Sequence, residues 1–160
     1  MPRRPTRRPP TPRVYWVVPG RLCAGEYPLE RLELLQAAGV DAFVDLTEEG
    51  EYGVPSYVAR LDGHAHVRFP IRDRGVPDRE QMTEILDHVD GALAEGRIVY
   101  LHCLGGIGRT GMAVACHLIR GGASPEEALA SIAAWRSDGV RSPETDDQRR
   151  FVESWATPSA

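Results

Sequence analysis

The chain has 160 residues, of which 42% are hydrophobic, and this is enough for one soluble domain with a buried core. Residues 1–13 contain five Arg and no acidic residue, so the remainder carries 14 Arg against 23 acidic residues, a net charge of −9. Because duplex binding depends on a basic face, this acidic body argues against nucleic acid as a partner. No run approaches the roughly 18 apolar residues of a membrane span, so no membrane partner is expected.

Cysteine usage and the start of the chain indicate the compartment. The three cysteines are widely separated and show neither a disulfide framework nor the Cys-x2-Cys spacing of a zinc site. The basic residues at the start are not followed by the apolar stretch of a secretory signal. We therefore expect a cytoplasmic monomer that needs no metal or other cofactor.

Residues 1–13 are rich in Pro and Arg and nearly free of apolar side chains. Such a segment cannot offset the entropy of ordering, so we expect a disordered tail followed by one domain over residues 14–160. A tail that touches an anionic partner or a Pro-recognising module is the alternative. The domain begins with two short strands, over 14–18 and 22–24, that flank a turn at Pro19-Gly20.

In the middle of the chain, segments whose apolar residues recur with helical spacing alternate with apolar segments that are typical of strands. Glycines and prolines separate these runs, as they do at element ends. Asp78, with Gln81 three residues later, has the pattern of a helix N-cap. The expected elements in order are helix 29–38, strand 40–46, loop 48–56, strand 67–71, loop 72–77 and helix 79–95.

The remaining elements define the fold class. A short apolar strand over 98–101 is followed by a loop and by a helix over 109–120. Ser124, with Pro after it and Glu at the third position, has the pattern of another helix start. Ser142-Pro143 is expected to begin the last helix. Strands alternate with helices at first and helices dominate later, which predicts an α/β fold with a central, mostly parallel sheet flanked by helices.

The loop after strand 98–101 has the composition of an oxyanion site. Its three glycines let backbone N–H groups turn inward, and the following helix adds free N–H groups and the positive end of its dipole. Cys103 at the start of this loop is expected to ionise readily, because such a site favours a thiolate. Arg109 at its end offers a planar fork for two phosphate oxygens. The loop could hold three phosphate oxygens while sulfur attacks phosphorus in line.

The ten residues 102–111 read HCLGGIGRTG and resemble the signature of the protein-tyrosine phosphatase superfamily. The Gly-Gly-x-Gly pattern of residues 105–108, within the motif, resembles that of the small dual-specificity branch of the superfamily. The resemblance extends over roughly residues 14–155, because the segment before the motif and the helices after it also fit. It implies a cysteine-based protein phosphatase fold.

The resemblance also implies a role for each residue of the motif. Cys103 corresponds to the nucleophile and Arg109 to the side chain that binds the phosphoryl group. Thr110 corresponds to the hydroxyl that assists breakdown of the phosphocysteine. His102 corresponds to a residue that orients the loop and tunes the thiolate, not to a base. The implied phosphate-binding residues are Leu104, Gly105, Gly106, Ile107, Gly108 and Arg109.

A phosphatase of this kind needs a general acid. The departing oxygen must gain a proton and the attacking water must lose one, and a single carboxyl group on a loop can do both. The family places an Asp about thirty residues before the nucleophile, and Asp73 lies 30 residues before Cys103. Loop 72–77 resembles the family's acid loop but lacks the Trp-Pro-Asp form of the large tyrosine-specific members. The alternative is that Asp73 is an aspartate of a surface loop without a catalytic role. Asp78 is the nearby competing candidate for the general acid.

Other polar residues and two cysteines give weaker evidence for a functional role. Gln148 resembles a glutamine that some family members use near the attacking water, and a solvated side chain at an exposed helix start is the alternative. His64 and His66 have the spacing of two ligands on one strand face, but no third ligand is evident. Cys116 is expected in the core. For Cys23, a protective disulfide with Cys103 is a further alternative.

The sequence therefore predicts a metal-independent phosphomonoesterase that acts on phosphotyrosine and/or phosphoserine and phosphothreonine through a phosphocysteine intermediate. The substrate is expected to be a phosphorylated protein or a small phosphomonoester. The five residues between Cys103 and Arg109 include no basic side chain, which disfavours inositol phosphates, although Arg72 and Arg74 flank the acid. The alternatives are a phosphoinositide or inositol phosphate phosphatase, a noncatalytic phosphate-binding module, and the sulfur or arsenic chemistry of rhodanese-like and arsenate-reducing enzymes.

The acid assignment predicts a dependence on the leaving group. Asp73→Asn is expected to lower kcat/KM for an alkyl phosphate by about 10² to 10⁴-fold, because an alkoxide leaves poorly without a proton. The loss on p-nitrophenyl phosphate is expected to be much smaller. Asp78→Asn is the control, since Asn also serves as an N-cap. Equal losses on the two substrates would remove Asp73 from the role.

Overall fold

The computed structural model of the chain describes residues 8–136 and 138–157. The strands are β1 (Val14–Val18), β2 (Leu22–Gly25), β3 (Ala42–Asp45), β4 (Ala65–Arg68) and β5 (Val99–His102). The helices are α1 (Leu32–Ala37), α2 (Arg79–Ala94), α3 (Gly108–Arg120), α4 (Pro125–Trp135) and α5 (Asp146–Trp155). The strands form one sheet in the order β1-β2-β5-β3-β4, in which only the β1–β2 pair is antiparallel among the described strands. The predicted α/β class is confirmed.

The central strand β5 brings three loops to one place. It pairs in parallel with β2 on one side and with β3 on the other. His102 at its end lies opposite Gly25 and opposite Asp45. Because the carboxyl ends of parallel strands meet at the same edge of a sheet, the loops that follow these three residues converge there.

The strands separate two apolar layers, because successive side chains of a strand point to opposite faces. Val44 and Leu101 belong to the larger layer, which packs against helices α2 to α5. Phe43 and Tyr100 belong to the smaller layer, together with α1 and the buried Tyr57. Burial on both faces explains why β3 and β5 appear in the sequence as nearly continuous apolar runs.

The boundaries of two early elements differ from the predicted ones. β4 begins at Ala65 and ends at Arg68, whereas the predicted span was 67–71. Its ladder to β3 begins with the bond from the Ala65 amide to the Asp41 carbonyl (3.2 Å). Pro70 has no N–H to donate, so the regular ladder ends before it. α1 is shorter than the predicted 29–38 at both ends.

The start of the last helix was also predicted at the wrong place. α5 begins at Asp146 and not at Ser142-Pro143. Thr145 is the N-cap: its hydroxyl accepts from the Gln148 amide, and the Gln148 side chain accepts from the Thr145 amide in return. This capping box satisfies free N–H groups at the start of α5 and so fixes the start of the helix at Asp146. Ser142 Oγ instead donates to the Ile107 carbonyl at 2.6 Å.

Part of the predicted tail contacts the domain. The Trp16 indole donates to the Arg8 carbonyl at 3.1 Å, and Thr11 is buried. The disorder predicted for residues 1–7 lies outside the described residues, and the boundary at residue 14 stays a prediction. None of the helices in the described ranges has both the length and the apolar content of a membrane span.

Two adjacent leucines of α1 provide a test of the smaller apolar layer. Leu35 is fully buried, whereas Leu34 is 48% exposed. Leu35→Ala is expected to lower the free energy of unfolding by about 2 to 5 kcal/mol, because it removes buried methyl groups and leaves a cavity. Leu34→Ala is expected to change it by less than about 0.5 kcal/mol. Urea unfolding followed by circular dichroism measures both, and similar losses would contradict the position of α1.

Candidate active site

The predicted phosphate loop lies between β5 and α3, at the edge where the parallel strands β2, β5 and β3 end. Cys103 is 3% exposed at the bottom of the loop, and Arg109 and Thr110 in the first turn of α3 are buried. The Thr110 hydroxyl has no hydrogen-bond partner within the described residues. The structure therefore brings the three predicted catalytic residues of the motif into one buried site.

The carbonyl groups of this loop are bonded to residues outside it. Four contacts hold them: His102 Nδ1 to the Cys103 carbonyl (3.0 Å), the Tyr27 amide to Leu104 (2.9 Å), Arg136 to Gly106 (2.8 Å) and the Ser142 hydroxyl to Ile107 (2.6 Å). A peptide group points its C=O and its N–H in opposite directions. The amides that follow these carbonyls therefore point into the loop. Those amides belong to residues 104, 105, 107 and 108 and, within the described ranges, bond no protein acceptor, so they are available to an anion.

One position of the loop requires glycine. Gly106 has φ of 73°, in the left-handed region that side chains disfavour. A Cβ there would lie 2.4 Å from the Gly25 carbonyl carbon and 2.6 Å from the Glu26 amide nitrogen. Neither backbone atom can move without disturbing β2, so a side chain at this position is excluded.

Arg109 is held by carboxylates. Its guanidinium donates to both oxygens of Glu51 at 2.7 Å and to the Ile71 carbonyl at 2.8 Å, and it lies 3.3 Å from Asp73 Oδ1. Burial opposes the charge of Arg109, but its hydrogen bonds to Glu51 and the charge of Cys103 raise the pKa of Arg109 above its ordinary value. Of the described residues, none is bonded to Arg109 Nε, which leaves this N–H for a phosphate oxygen.

Asp73, the predicted acid, lies beside this guanidinium. Its Oδ2 accepts a hydrogen bond from the Tyr52 hydroxyl at 2.6 Å, and its side chain is 32% exposed. That bond raises the pKa of Tyr52, so the phenol stays protonated. An exposed ion pair between Arg74 and Glu144 (2.7 Å) links the acid loop to the segment before α5. Asp78, the local competitor, caps α2 by accepting from the Gln81 amide.

His102 lies behind the nucleophile and is fully buried. Because the Cys103 carbonyl can only accept, Nδ1 carries the proton, and Nε2 is left to accept from the Tyr57 hydroxyl at 2.6 Å. Burial lowers the pKa of His102, and the nearby Asp45 carboxylate offsets only part of this effect. A neutral His102 with both nitrogens bonded is suited to orienting the loop and not to accepting a proton.

Gln148 occupies a different environment from the solvated one considered as its alternative. It is fully buried, and its Oε1 accepts from the Glu144 and Thr145 amides at 3.1 Å. Its Nε2 donates to the Gly75 carbonyl of the acid loop at 3.2 Å. A Cβ at Gly108 would lie 2.9 Å from Gln148 Oε1, so the amide group lies between the acid loop and the phosphate loop.

The remaining sequence candidates belong to the interior. Cys103 and Cys116 lie in the larger apolar layer and Cys23 in the smaller one, on the other face of the sheet. None of the three forms a disulfide within the described residues, and burial raises the pKa of Cys116. His66 donates to Asp45 at 3.1 Å instead of facing a metal cluster. Over the described residues, no three His, Cys, Asp or Glu side chains are grouped to hold a metal ion.

Sequence reasoning missed the residues that reach the site from distant segments. Glu51, Tyr52 and Tyr27 follow the ends of β3 and β2, and Arg136 and Ser142 come from the segment after α4. One signal was available for the first group. Loops after the carboxyl ends of parallel strands commonly carry functional residues, and the polar stretch 48–56 follows β3.

The chain belongs to the family described as polymorphic toxin system, DSP-PTPase phosphatase, which matches residues 23–123. Protein 067L of Invertebrate iridescent virus 3, named as a tyrosine phosphatase, is 36% identical over 147 residues, which are 82% of this chain and 60% of that protein. The Arabidopsis thaliana protein named "Phosphatidylinositol 3,4,5-trisphosphate 3-phosphatase and protein-tyrosine-phosphatase PTEN1" is 32% identical over 114 residues, 70% of this chain and 26% of that protein. The chain thus spans only part of these relatives.

Solved structures agree with this family. Tk-PTP in its active form superposes with a TM-score of 0.79 at 30% identity, over 91% of this chain and 97% of that one. Kinase associated phosphatase (KAP), with its catalytic site cysteine substituted by serine, gives 0.75 at 25% identity over 84% of each chain. The predicted resemblance to a small dual-specificity phosphatase is confirmed.

The close approach at Gly106 leads to a direct test. Gly106→Ala is expected to abolish phosphate binding while the protein stays folded, since the loop must change its path to avoid the clash with β2. Gly91→Ala is the control, because a Cβ at Gly91 in α2 meets no atom within 4 Å. Calorimetric titration with inorganic phosphate measures both variants, and native affinity in Gly106→Ala would contradict the described loop.

Proposed function

We propose that this chain is a cysteine-dependent phosphomonoesterase that hydrolyses phosphotyrosine and/or phosphoserine and phosphothreonine in proteins. The observation that carries the proposal is the ring of inward amides around Cys103, closed by the guanidinium of Arg109. These groups match the oxygens of a phosphate dianion, and their electrostatic effect on it is strong because the site is buried.

The acidic body of the chain supports a protein or small phosphoester substrate over nucleic acid. We further propose a monomer in the reducing cytoplasm, because the three cysteines of the sequence are too widely separated along the chain for a disulfide framework.

In the first step the Cys103 thiolate attacks phosphorus in line with the departing oxygen. The loop amides and Arg109 Nε–H hold the three other oxygens. Glu51 accepts hydrogen bonds from both terminal nitrogens of Arg109, so the guanidinium is fixed before the substrate arrives. Asp73 gives its proton to the departing oxygen as the P–O bond breaks, and a phosphocysteine remains.

In the second step water hydrolyses the phosphocysteine. Asp73, now ionised, accepts a proton from the water that attacks phosphorus, and the thiolate departs. The Thr110 hydroxyl, which has no partner among the described residues, is available to stabilise the returning thiolate. Gln148 fixes the Gly75 carbonyl two residues after Asp73, which limits the movement of the acid.

Phosphoinositides are the second candidate substrate. The name of the plant relative supports it, since that protein is named for a phosphatidylinositol trisphosphate as well as for phosphotyrosine. The loop of this chain offers no basic side chain to additional phosphates, and Arg74 is already paired with Glu144. Arg72 is exposed beside Asp73 and is the side chain that could meet a second phosphate. The contacts therefore favour a single phosphoryl group.

Substrate trapping tests the proposal. Cys103→Ser is expected to release no phosphate from a phosphotyrosine peptide or a soluble phosphoinositide, yet to retain the peptide, because the amides and Arg109 remain. Cys116→Ala is the matched control and is expected to keep full activity, since this thiol is buried in α3 outside the loop. Phosphate release and peptide retention are measured for both. Undiminished turnover by Cys103→Ser would contradict the mechanism, and exclusive retention of the phosphoinositide would favour the second candidate.

A further inference from the structure

Arg136, the residue after α4, reaches back to the phosphate loop. Its NH1 donates to the Gly106 carbonyl at 2.8 Å, and its side chain is only 8% exposed. The other edge of the guanidinium is bound by Asp138, with Nε to Oδ1 at 3.2 Å and NH2 to Oδ2 at 2.6 Å. Arg136 is thus held at two edges, one by a carboxylate and one by the loop.

The peptide that follows Gly106 is a point at which the backbone of the loop can reverse its direction. Glycine can adopt several backbone conformations, and Gly106 already has a positive φ. Rotation of the peptide between Gly106 and Ile107 would turn the carbonyl into the site and the Ile107 amide out of it. A donor would then be replaced by an acceptor, which repels both a thiolate and a phosphate oxygen. The partner of this carbonyl therefore controls the electrostatic sign of one side of the site.

Among the four recorded anchors of the loop carbonyls, Arg136 is the permanently charged donor. Tyr27 uses a neutral amide, Ser142 a hydroxyl and His102 a neutral ring. A charged donor forms a stronger hydrogen bond than a neutral one. Because the adjacent Asp138 carboxylate offsets the charge of Arg136, the pair adds little net field at Cys103 and acts chiefly by orientation.

We propose that Arg136 is a positioning residue of the phosphatase site. It holds the Gly106 carbonyl outward so that the Ile107 amide faces the phosphoryl group, and Asp138 fixes Arg136 in the required direction. The proposal rests on the proposed function of the loop. It also predicts properties of Cys103 and of phosphate binding that are measured without turnover.

The test compares four variants with the intact chain. Arg136→Gln removes the charged donor, Arg136→Lys keeps the positive charge but loses the planar guanidinium, and Asp138→Ala removes the carboxylate that holds Arg136. Arg141→Gln is the matched control, because Arg141 lies on the same segment but pairs with Asp146 at 2.7 Å, away from the loop. The rate of Cys103 alkylation by iodoacetamide is measured from pH 5 to 8 by mass spectrometry, with and without inorganic phosphate. Thermal melts confirm that each variant is folded.

Arg136→Gln is expected to require about 10-fold more phosphate to protect Cys103, the effect of losing one hydrogen bond to a charged group. Its alkylation at the acidic end of the range is expected to be slower, since the thiolate loses a donor. Its kcat/KM on p-nitrophenyl phosphate is expected to fall by about 10²-fold. Arg136→Lys is expected to recover part of each property, Asp138→Ala to show a smaller loss in the same direction, and Arg141→Gln to match the intact chain.

If Arg136 and Asp138 acted on Cys103 through their charges alone, Asp138→Ala would change the rate of alkylation in the opposite direction. Removal of the Asp138 carboxylate would then speed alkylation of Cys103, because a negative charge near the thiolate is lost. Faster alkylation in Asp138→Ala, or native phosphate protection in Arg136→Gln, would overturn the proposal. If Arg136→Gln melts below the assay temperature, Arg136→Lys and Asp138→Ala decide. A chain that binds phosphate as expected but hydrolyses no phosphoester would refute the proposed function and leave this inference standing.

Discussion

The direction of a few peptide groups in residues 103–107 determines what this site can bind. Each outward carbonyl turns the next amide inward, and four such carbonyls are bonded to groups outside the loop. Without those bonds the glycines would allow the peptides to rotate, and an inward carbonyl would repel an anion. The cavity is therefore suited to a thiolate and a phosphate dianion because the surrounding structure occupies the carbonyls.

The rest of the fold supplies those partners. β5 delivers His102 and Cys103, β2 ends at Gly25 where Gly106 packs closely, and the chain beyond β2 provides the Tyr27 amide. The segment between α4 and α5 provides Arg136 and Ser142. The positive charge of Arg109 is also balanced, because its guanidinium is bonded to Glu51 and lies near Asp73. The buried guanidinium thus stays charged and oriented, with its Nε–H available.

Short-range patterns in the sequence were sufficient for the strand, the glycine loop and the helix that contain Cys103 and Arg109, because these elements are consecutive. Distant contacts were not predictable in the same way. Glu51 and Arg109 are 58 residues apart, and Arg136 and Gly106 are 30 apart, so each contact depends on the strand order. The solvated position that was the alternative for Gln148 is wrong, because the side chain is buried and bonded to Gly75 of the acid loop, 73 residues earlier in the chain.

The most direct test of a nucleophilic thiolate in an anion site is to capture the phosphorylated enzyme. The protein is mixed with p-nitrophenyl phosphate, quenched in acid within one turnover, digested, and analysed by mass spectrometry. A phosphate adduct on Cys103 is expected to appear with the first burst of p-nitrophenol. An adduct on another residue, or steady turnover with no phosphorylated residue at any quench time, would contradict this expectation.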